Sequence, residues 1–215
     1  MTPLTSQVGS LVTVVVESLS SALDRETYLK RLGEDLEPGG REPAPPPLRV
    51  VQKFVNTHNH ELEIERDRLG SAEKATRWLG DNGLLDPGKR LSDDEARRLR
   101  DARSLIRALA GSPTSATEPA APGSGDLDVT LRIRAADGPS LILEPAGGGV
   151  DRALGSLLAI VHEAMLDGSW RRMKLCRECE WLFFDHSRNR SGGWCSMAIC
   201  GNRAKNRSYR RRNGD

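Results

Sequence analysis

The sequence predicts a mainly α-helical body with one small β-hairpin, followed by a compact cysteine-bearing module at the C-terminal end. Three observations lead there. Apolar residues recur at helical spacing between 48 and 109 and again between 151 and 166, a single stretch near 127–134 alternates apolar with polar, and all four cysteines fall between 176 and 200. At 215 residues, 37% hydrophobic and 29% charged, the chain has room for one large domain or two small ones and can bury a core.

In chain order, residues 8–36 read as one or two amphipathic helices. Pro38-Gly39-Gly40 and Pro43-Ala44-Pro45-Pro46-Pro47 separate them from the rest of the chain and read as a linker. This divides the chain into an extension and Pro-rich linker at 1–47, a body at 48–169 and a terminal module at 170–215. The apolar run from Leu11 to Val16 is too short for a membrane span or a signal peptide, and no basic segment precedes it. A cytoplasmic protein without a membrane segment is expected, with its thiols reduced.

The body starts with a helix over 48–60. A second runs from Ser71 to about Leu79, burying Ala75, Trp78 and Leu79. Ser92-Asp93-Asp94-Glu95 is a capping box, followed by Ala96, Leu99, Ala102, Leu105, Ile106 and Leu109 at helical spacing. Residues 111–126 lack periodicity and predict a loop. Leu127, Val129, Leu131 and Ile133 then alternate with polar residues as in a half-buried strand, Asp137-Gly138 supplies a turn, and 140–144 is the partner strand. Gly147-Gly148-Gly149 lacks the Gly-Lys-Ser/Thr of a phosphate loop and reads as a joint. Asp151 is expected to cap a helix to about Leu166, with Leu154, Leu157, Leu158, Val161, Ala164 and Met165 inward and Gly168 as its stop.

Charge separates the two ends. From Trp170 onward 12 Lys and Arg face 4 acids, a balance of +8, while the remainder has 20 basic and 26 acidic residues, a balance of −6. A strongly basic end on a mildly acidic body suggests a polyanionic partner, although a solvated basic tail gives the same count.

Within that end the cysteines follow the pattern Cys176-x2-Cys179-x15-Cys195-x4-Cys200. Two close pairs separated by a spacer that can fold back suit a tetrahedral four-thiolate Zn²⁺ site, closed and therefore structural. A thiol redox switch is the alternative. Arg177 and Lys174 are the expected partners for the excess negative charge of such a site. The apolar residues Trp181, Leu182, Phe183, Phe184 and Trp194 form too small a cluster to hold the module without a metal. Chelation is expected to unfold this end and leave the body folded.

The same residues resemble a known family. Trp194-Cys195-Ser196-Met197 followed by Cys200-Gly201-Asn202-Arg203-Ala204-Lys205 is similar to the CGNR zinc finger, with Trp181, Phe183-Phe184-Asp185 and Ser187-Arg188-Asn189 upstream. Phe54-Val55-Asn56-Thr57, Asp67-Arg68-Leu69, ATRWLGDNGLL and the helix after Ser92 resemble the ABATE domain. The resemblance covers 48–212 and implies a helical ABATE-like body, one structural zinc ion and a bacterial transcription regulator. Residues 1–45 fall outside it, and Gly192-Gly193 stand where relatives carry basic side chains, a departure expected to weaken one phosphate contact.

If Ser196 starts a helix, Cys200 lies one turn in, Arg203, Arg207 and Arg210 share a face, and Lys205, Arg211 and Arg212 flank it. Such a helix could meet double-stranded DNA, with Arg188, Asn189 and Arg190 in the preceding loop on phosphate. Asn202 and Asn206 could read adenine, or Asn202 could hold the zinc loop. For the body, sensing a small-molecule effector or forming a homodimer is expected. Asn56, Thr57 and Arg68 are the candidate pocket groups, although caps and structural hydrogen bonds are the preferred reading of the same residues. An RNA- or protein-binding module and a zinc-releasing redox sensor are the alternative functions. No enzyme is expected. His58 and His60 diverge on a helix, His186 is superfluous beside four cysteines, and His162-Glu163 lacks the second histidine of a metalloprotease motif.

Overall fold

The computed structural model describes residues 41–58, 67–111, 127–135 and 141–214. Helices α1 (Leu48–Val55), α2 (Ala72–Asp81) and α3 (Asp93–Gly111) precede a hairpin of β1 (Leu131–Ala135) and β2 (Leu141–Pro145). Helix α4 (Gly149–Leu166) comes next, then a 3₁₀ turn at Ser169–Arg172, a second hairpin of β3 (Met173–Leu175) and β4 (Leu182–Phe184), and the terminal helix α5 (Asn202–Asn213). Both hairpins are antiparallel, with Leu131 opposite Pro145 and Met173 opposite Phe184.

Side-chain caps set the starts of α2 and α3. Ser71 Oγ accepts from Lys74 N at the head of α2. Ser92 and Glu95 form the reciprocal box before α3: Ser92 N donates to Glu95 Oε2 (2.7 Å) and Glu95 N to Ser92 Oγ (3.3 Å). Helix α4 instead begins from Gly148, and Asp151 in its first turn accepts from Arg98 rather than capping. The three glycines are thus the entry to this helix, with Gly147 and Gly149 at positive φ.

Several expectations change. Helix α1 stops at Val55, well short of 60, because Asn56 and Thr57 turn the chain so that His58 can bridge antiparallel to Asp67. The alternation ahead of the hairpin leaves Leu127, Val129 and Leu131 half-buried, but Ile133 is 65% exposed. Met165 is also exposed, at the last turn of α4. The helices at 8–36, the loop at 112–126, the turn at Asp137-Gly138 and His60 lie outside the described residues.

One apolar cluster joins all four body helices through Val51, Phe54, Leu79, Leu99, Ile106, Leu154, Leu157 and Ile160, and it extends past the body to Trp170, Met173 and Leu182. A second, smaller cluster contains Cys176, Cys200, Trp181 and Phe183. The period-2 geometry of a strand explains the split. Leu182 and Phe184 face the body, and Trp181 and Phe183 face the cysteines. The expected single apolar cluster is therefore two half-clusters, and the terminal module shares its core with the body.

Candidate metal centre and nucleic-acid interface

The four cysteines come from three local structures. Cys176 and Cys179 sit on the turn between β3 and β4, where Glu180 N donates to Cys176 O and Cys176 N to Trp181 O, both at 2.9 Å. Glu180 closes this turn at φ 57°, a conformation unfavourable for a side chain, and Arg107 of α3 holds it by donating to its carbonyl at 2.7 Å. Cys195 precedes Ser196, whose Oγ accepts from Ile199 N as an N-cap. Cys200 lies in the wide turn Met197–Gly201 that leads into α5, where Ser196 O accepts from the N–H of both Cys200 (2.9 Å) and Gly201 (3.0 Å).

The Sγ atoms of Cys176, Cys179, Cys195 and Cys200 all lie within 4.8 Å of one another. Three sulfur pairs, Cys179–Cys195, Cys195–Cys200 and Cys179–Cys200, are separated by 3.5, 3.6 and 3.5 Å. A tetrahedron with zinc–sulfur bonds of about 2.3 Å has edges of about 3.8 Å, so the four free thiols fit one Zn²⁺. Backbone N–H groups of Glu178 and Cys195 point at Cys176 Sγ, and that of Trp181 points at Cys179 Sγ. Thiol–thiol hydrogen bonds split the group. Those from Cys179 and Cys195 hold Cys176 far below the ordinary thiol range, while the bond to Cys176 pushes Cys195 up to about 12. A divalent cation relieves this crowding, because it ionises each thiol it coordinates.

Two family models match this chain. The segment 48–167 matches ABATE, described as "Putative stress-induced transcription regulator", and 172–213 matches the CGNR zinc finger. The chain is an ABATE family protein ending in a CGNR zinc finger. No curated protein matches it. The four clustered cysteines in a finger of this family are consistent with one structural zinc.

Within the CGNR tetrapeptide each residue has a distinct setting. Cys200 brings a sulfur, and Gly201 is buried where an added Cβ would fall 2.8 Å from Met197 Sδ. Asn202 Nδ2 donates to Ala198 O at 3.0 Å, tying the wide turn together, and Arg203 is exposed on α5. Asn202 thus holds the loop with its Nδ2 while remaining exposed.

Asp185 organises the loop that carries Arg188, Asn189 and Arg190. Its side chain is 3% exposed and pairs with Lys174 Nζ at 2.7 Å. Its oxygens also accept from Ser187 N (3.0 Å) and Gly192 N (2.8 Å). Burial alone would raise the carboxyl, but the Lys174 ammonium and these donors outweigh it and pull it down to about 2. Gly192 is required by this contact, because an added Cβ would lie 2.7 Å from Asp185 Oδ1. Any side chain at 192 would press on this carboxylate. Lys174 is committed to Asp185, so it is not the partner of the sulfurs.

The basic residues divide into two sets. Arg188, Asn189 and Arg190 are exposed on the loop, and Arg203, Lys205, Arg210, Arg211 and Arg212 are exposed on α5, no residue of which is buried. Arg203, Asn206, Arg207, Arg210 and Arg211 line one groove together with Glu178. Arg207 differs from its neighbours, since both of its terminal nitrogens donate to the Glu178 carboxylate on the β3–β4 turn. It fastens the helix to the metal-binding turn.

Two of the candidate pocket groups, Asn56 and Thr57, have their side chains in internal hydrogen bonds. Asn56 pairs reciprocally with the backbone of Leu182: its Nδ2 donates to Leu182 O (2.9 Å) and its Oδ1 accepts from Leu182 N (2.8 Å). Gln52 Nε2 adds a bond to the same carbonyl at 3.2 Å. Thr57 Oγ1 donates to Phe54 O and accepts from Arg103, whose guanidinium also forks onto Asp67 at 2.7 and 3.0 Å. Arg68 N donates to Thr57 O. The Asn-Thr and Asp-Arg-Leu patterns of the ABATE domain thus lock α1, α3 and the finger together. His186 packs at a tilt against Phe184 and bonds Pro43 O.

The sequence offered no local sign of Gln52, Arg107 or Glu178 as site residues, because each acts on a partner distant in the chain. Asp185 lay inside the motif, and a carboxylate among arginines was its only signal.

Proposed function

We propose that the chain is a DNA-binding transcription regulator in which zinc organises a basic finger and the body orients it. The observation that carries this reading is the row of exposed arginines on α5, Arg203, Arg210 and Arg211, projecting from a helix whose preceding turn contains Cys200 and whose side is fastened by Arg207 to the other cysteine pair. Arginine suits phosphate and guanine edges alike, and Arg188, Asn189 and Arg190 add donors for backbone phosphate. We divide the chain at 47/48 and 169/170, assign Cys176, Cys179, Cys195 and Cys200 as the zinc ligands, and place the protein in the cytoplasm without enzymatic activity. Among the described residues no helix is long and apolar enough to cross a membrane. A small-molecule effector or a homodimer contact belongs to this reading as the input to the body, although Asn56 and Thr57 have their side chains committed to internal bonds.

Fluorescence anisotropy with random double-stranded DNA across a salt series tests it. Zinc-loaded protein is expected to bind with affinity falling steeply as salt rises, and to lose binding on chelation and in the Arg203→Ala/Arg210→Ala/Arg211→Ala variant, which leaves the Arg207 anchor intact. No binding at low salt refutes the proposal, and stronger binding to structured RNA of equal length favours an RNA module.

A further inference from the structure

Residues 41–47 lie outside both family segments, yet they run across the finger as a packed strap rather than a free linker. Ala44 is 2% exposed and its N–H donates to Gln52 Oε1 at 2.7 Å. Pro43 O accepts from His186 Nε2 at 3.0 Å. Arg41, 5% exposed, places Nε 2.9 Å from Cys195 Sγ, and its guanidinium lies over the Trp181 ring at 5.1 Å from the centroid.

A guanidinium stays charged throughout the working pH range, and burying it is costly unless negative charge lies nearby. Four thiolates around Zn²⁺ carry a formal charge of −2, which supplies that negative charge. The contact falls on Cys195, which as a residue is half-buried, as is Cys179, whereas Cys176 and Cys200 are buried. A charge-assisted donor held on Cys195 Sγ fixes the direction of that sulfur toward the other three, and the contact must break before Cys195 can turn away from the centre. From this geometry we propose that Arg41 is a positioning residue of the zinc centre, donating Nε–H to Cys195 Sγ so that the strap retains zinc. The inference rests on zinc occupancy and is independent of DNA binding.

The test uses the full zinc-loaded chain, with metal content first fixed by mass spectrometry and zinc transfer then followed with a chromophoric pyridylazo chelator. Arg41→Gln is expected to speed transfer about ten-fold or more. Arg41→Lys should fall between, since it keeps the charge without the directed Nε–H. His186→Ala, which removes the strap contact at Pro43 O, should transfer at the parent rate. An unchanged rate in Arg41→Gln overturns the proposal, as does equal acceleration by His186→Ala, which would assign the effect to strap packing. A parent protein that takes up no zinc refutes the zinc centre itself, a result distinct from loaded protein indifferent to Arg41. If Arg41→Gln fails to fold, the parent chain still decides by nitrogen-15 NMR. The Arg41 Nε–H should exchange slowly with water when zinc is bound, and rapid exchange in the loaded protein overturns the proposal.

Discussion

Strand β4 stands between two regions that are stabilised by different physics. On one side, Leu182 and Phe184 join the body's apolar core, where burial of Leu, Ile, Val and Phe side chains suffices. On the other, Trp181 and Phe183 border four cysteines, and the surroundings are built from that cluster, the Lys174–Asp185 pair and the Arg207–Glu178 fork. The body should therefore respond mainly to changes in packing and the finger to changes in charge. Their shared strand means that neither response stays wholly local.

Chelation should produce the largest effect. Loss of zinc is expected to abolish the near-ultraviolet circular dichroism of Trp181 and Trp194 while most helical signal persists. The body should also melt at a lower temperature, because Met173 and Leu182 belong to its core. A body melting temperature indifferent to chelation would show that the regions are independent. Asn56→Ala ranks second in size. It leaves the N–H of Leu182 without its amide partner, at an expected loss of about 2 kcal/mol in chemical denaturation. Asn56→Asp should be worse, since it sets a carboxylate oxygen against Leu182 O.

Gly192→Ala should cost about 1–3 kcal/mol by forcing a Cβ against the Asp185 carboxylate, and the loss should appear in zinc retention before it appears in the body. The smallest effects are in pH. Asp185, pulled down to about 2, contributes stability that is full above its unfolded value near 3.8 and is lost as pH falls through that range. Glu163 in α4 behaves oppositely. Burial, with a smaller push from Asp167, raises it to about 7, so stability falls as pH rises from about 4.5 through 7. Its Oε2 is buried without a hydrogen-bond partner among the described residues. Glu163→Gln should therefore raise the melting temperature at pH 8 and leave it unchanged at pH 4, whereas Asp185→Asn should lower it at pH 8 and matter least below pH 3.

What could be read from the sequence was local. The Ser92–Glu95 box, the Ser71 cap and the cysteine spacing each involve neighbours a few residues apart, and each is visible as a pattern. The early end of α1 was hidden because Asn56 and Thr57 are tolerable in a helix, and what stops it is their bonding to Leu182 and Arg103. Arg41 and Cys195 are 154 residues apart, and Asn56 and Leu182 are 126 apart, distances over which one sequence carries no pairing signal. Arg207 looked like its neighbours on a basic face, and only the position of Glu178 sets it apart. Similarly, the sequence carries no sign that the Asp185 carboxylate lies against Gly192.

The reciprocal amide pairing of Asn56 with Leu182 bears on whether the finger is a portable part. Asn56 acts as one residue of a neighbouring strand, completing the edge of β4 from a helix in a different family segment. Residues 172–213 grafted behind an unrelated body would present that edge, together with Leu182 and Phe184, to water. A working chimera must carry the Gln52–Asn56 corner with the finger, so the unit of exchange is the matched pair of surfaces.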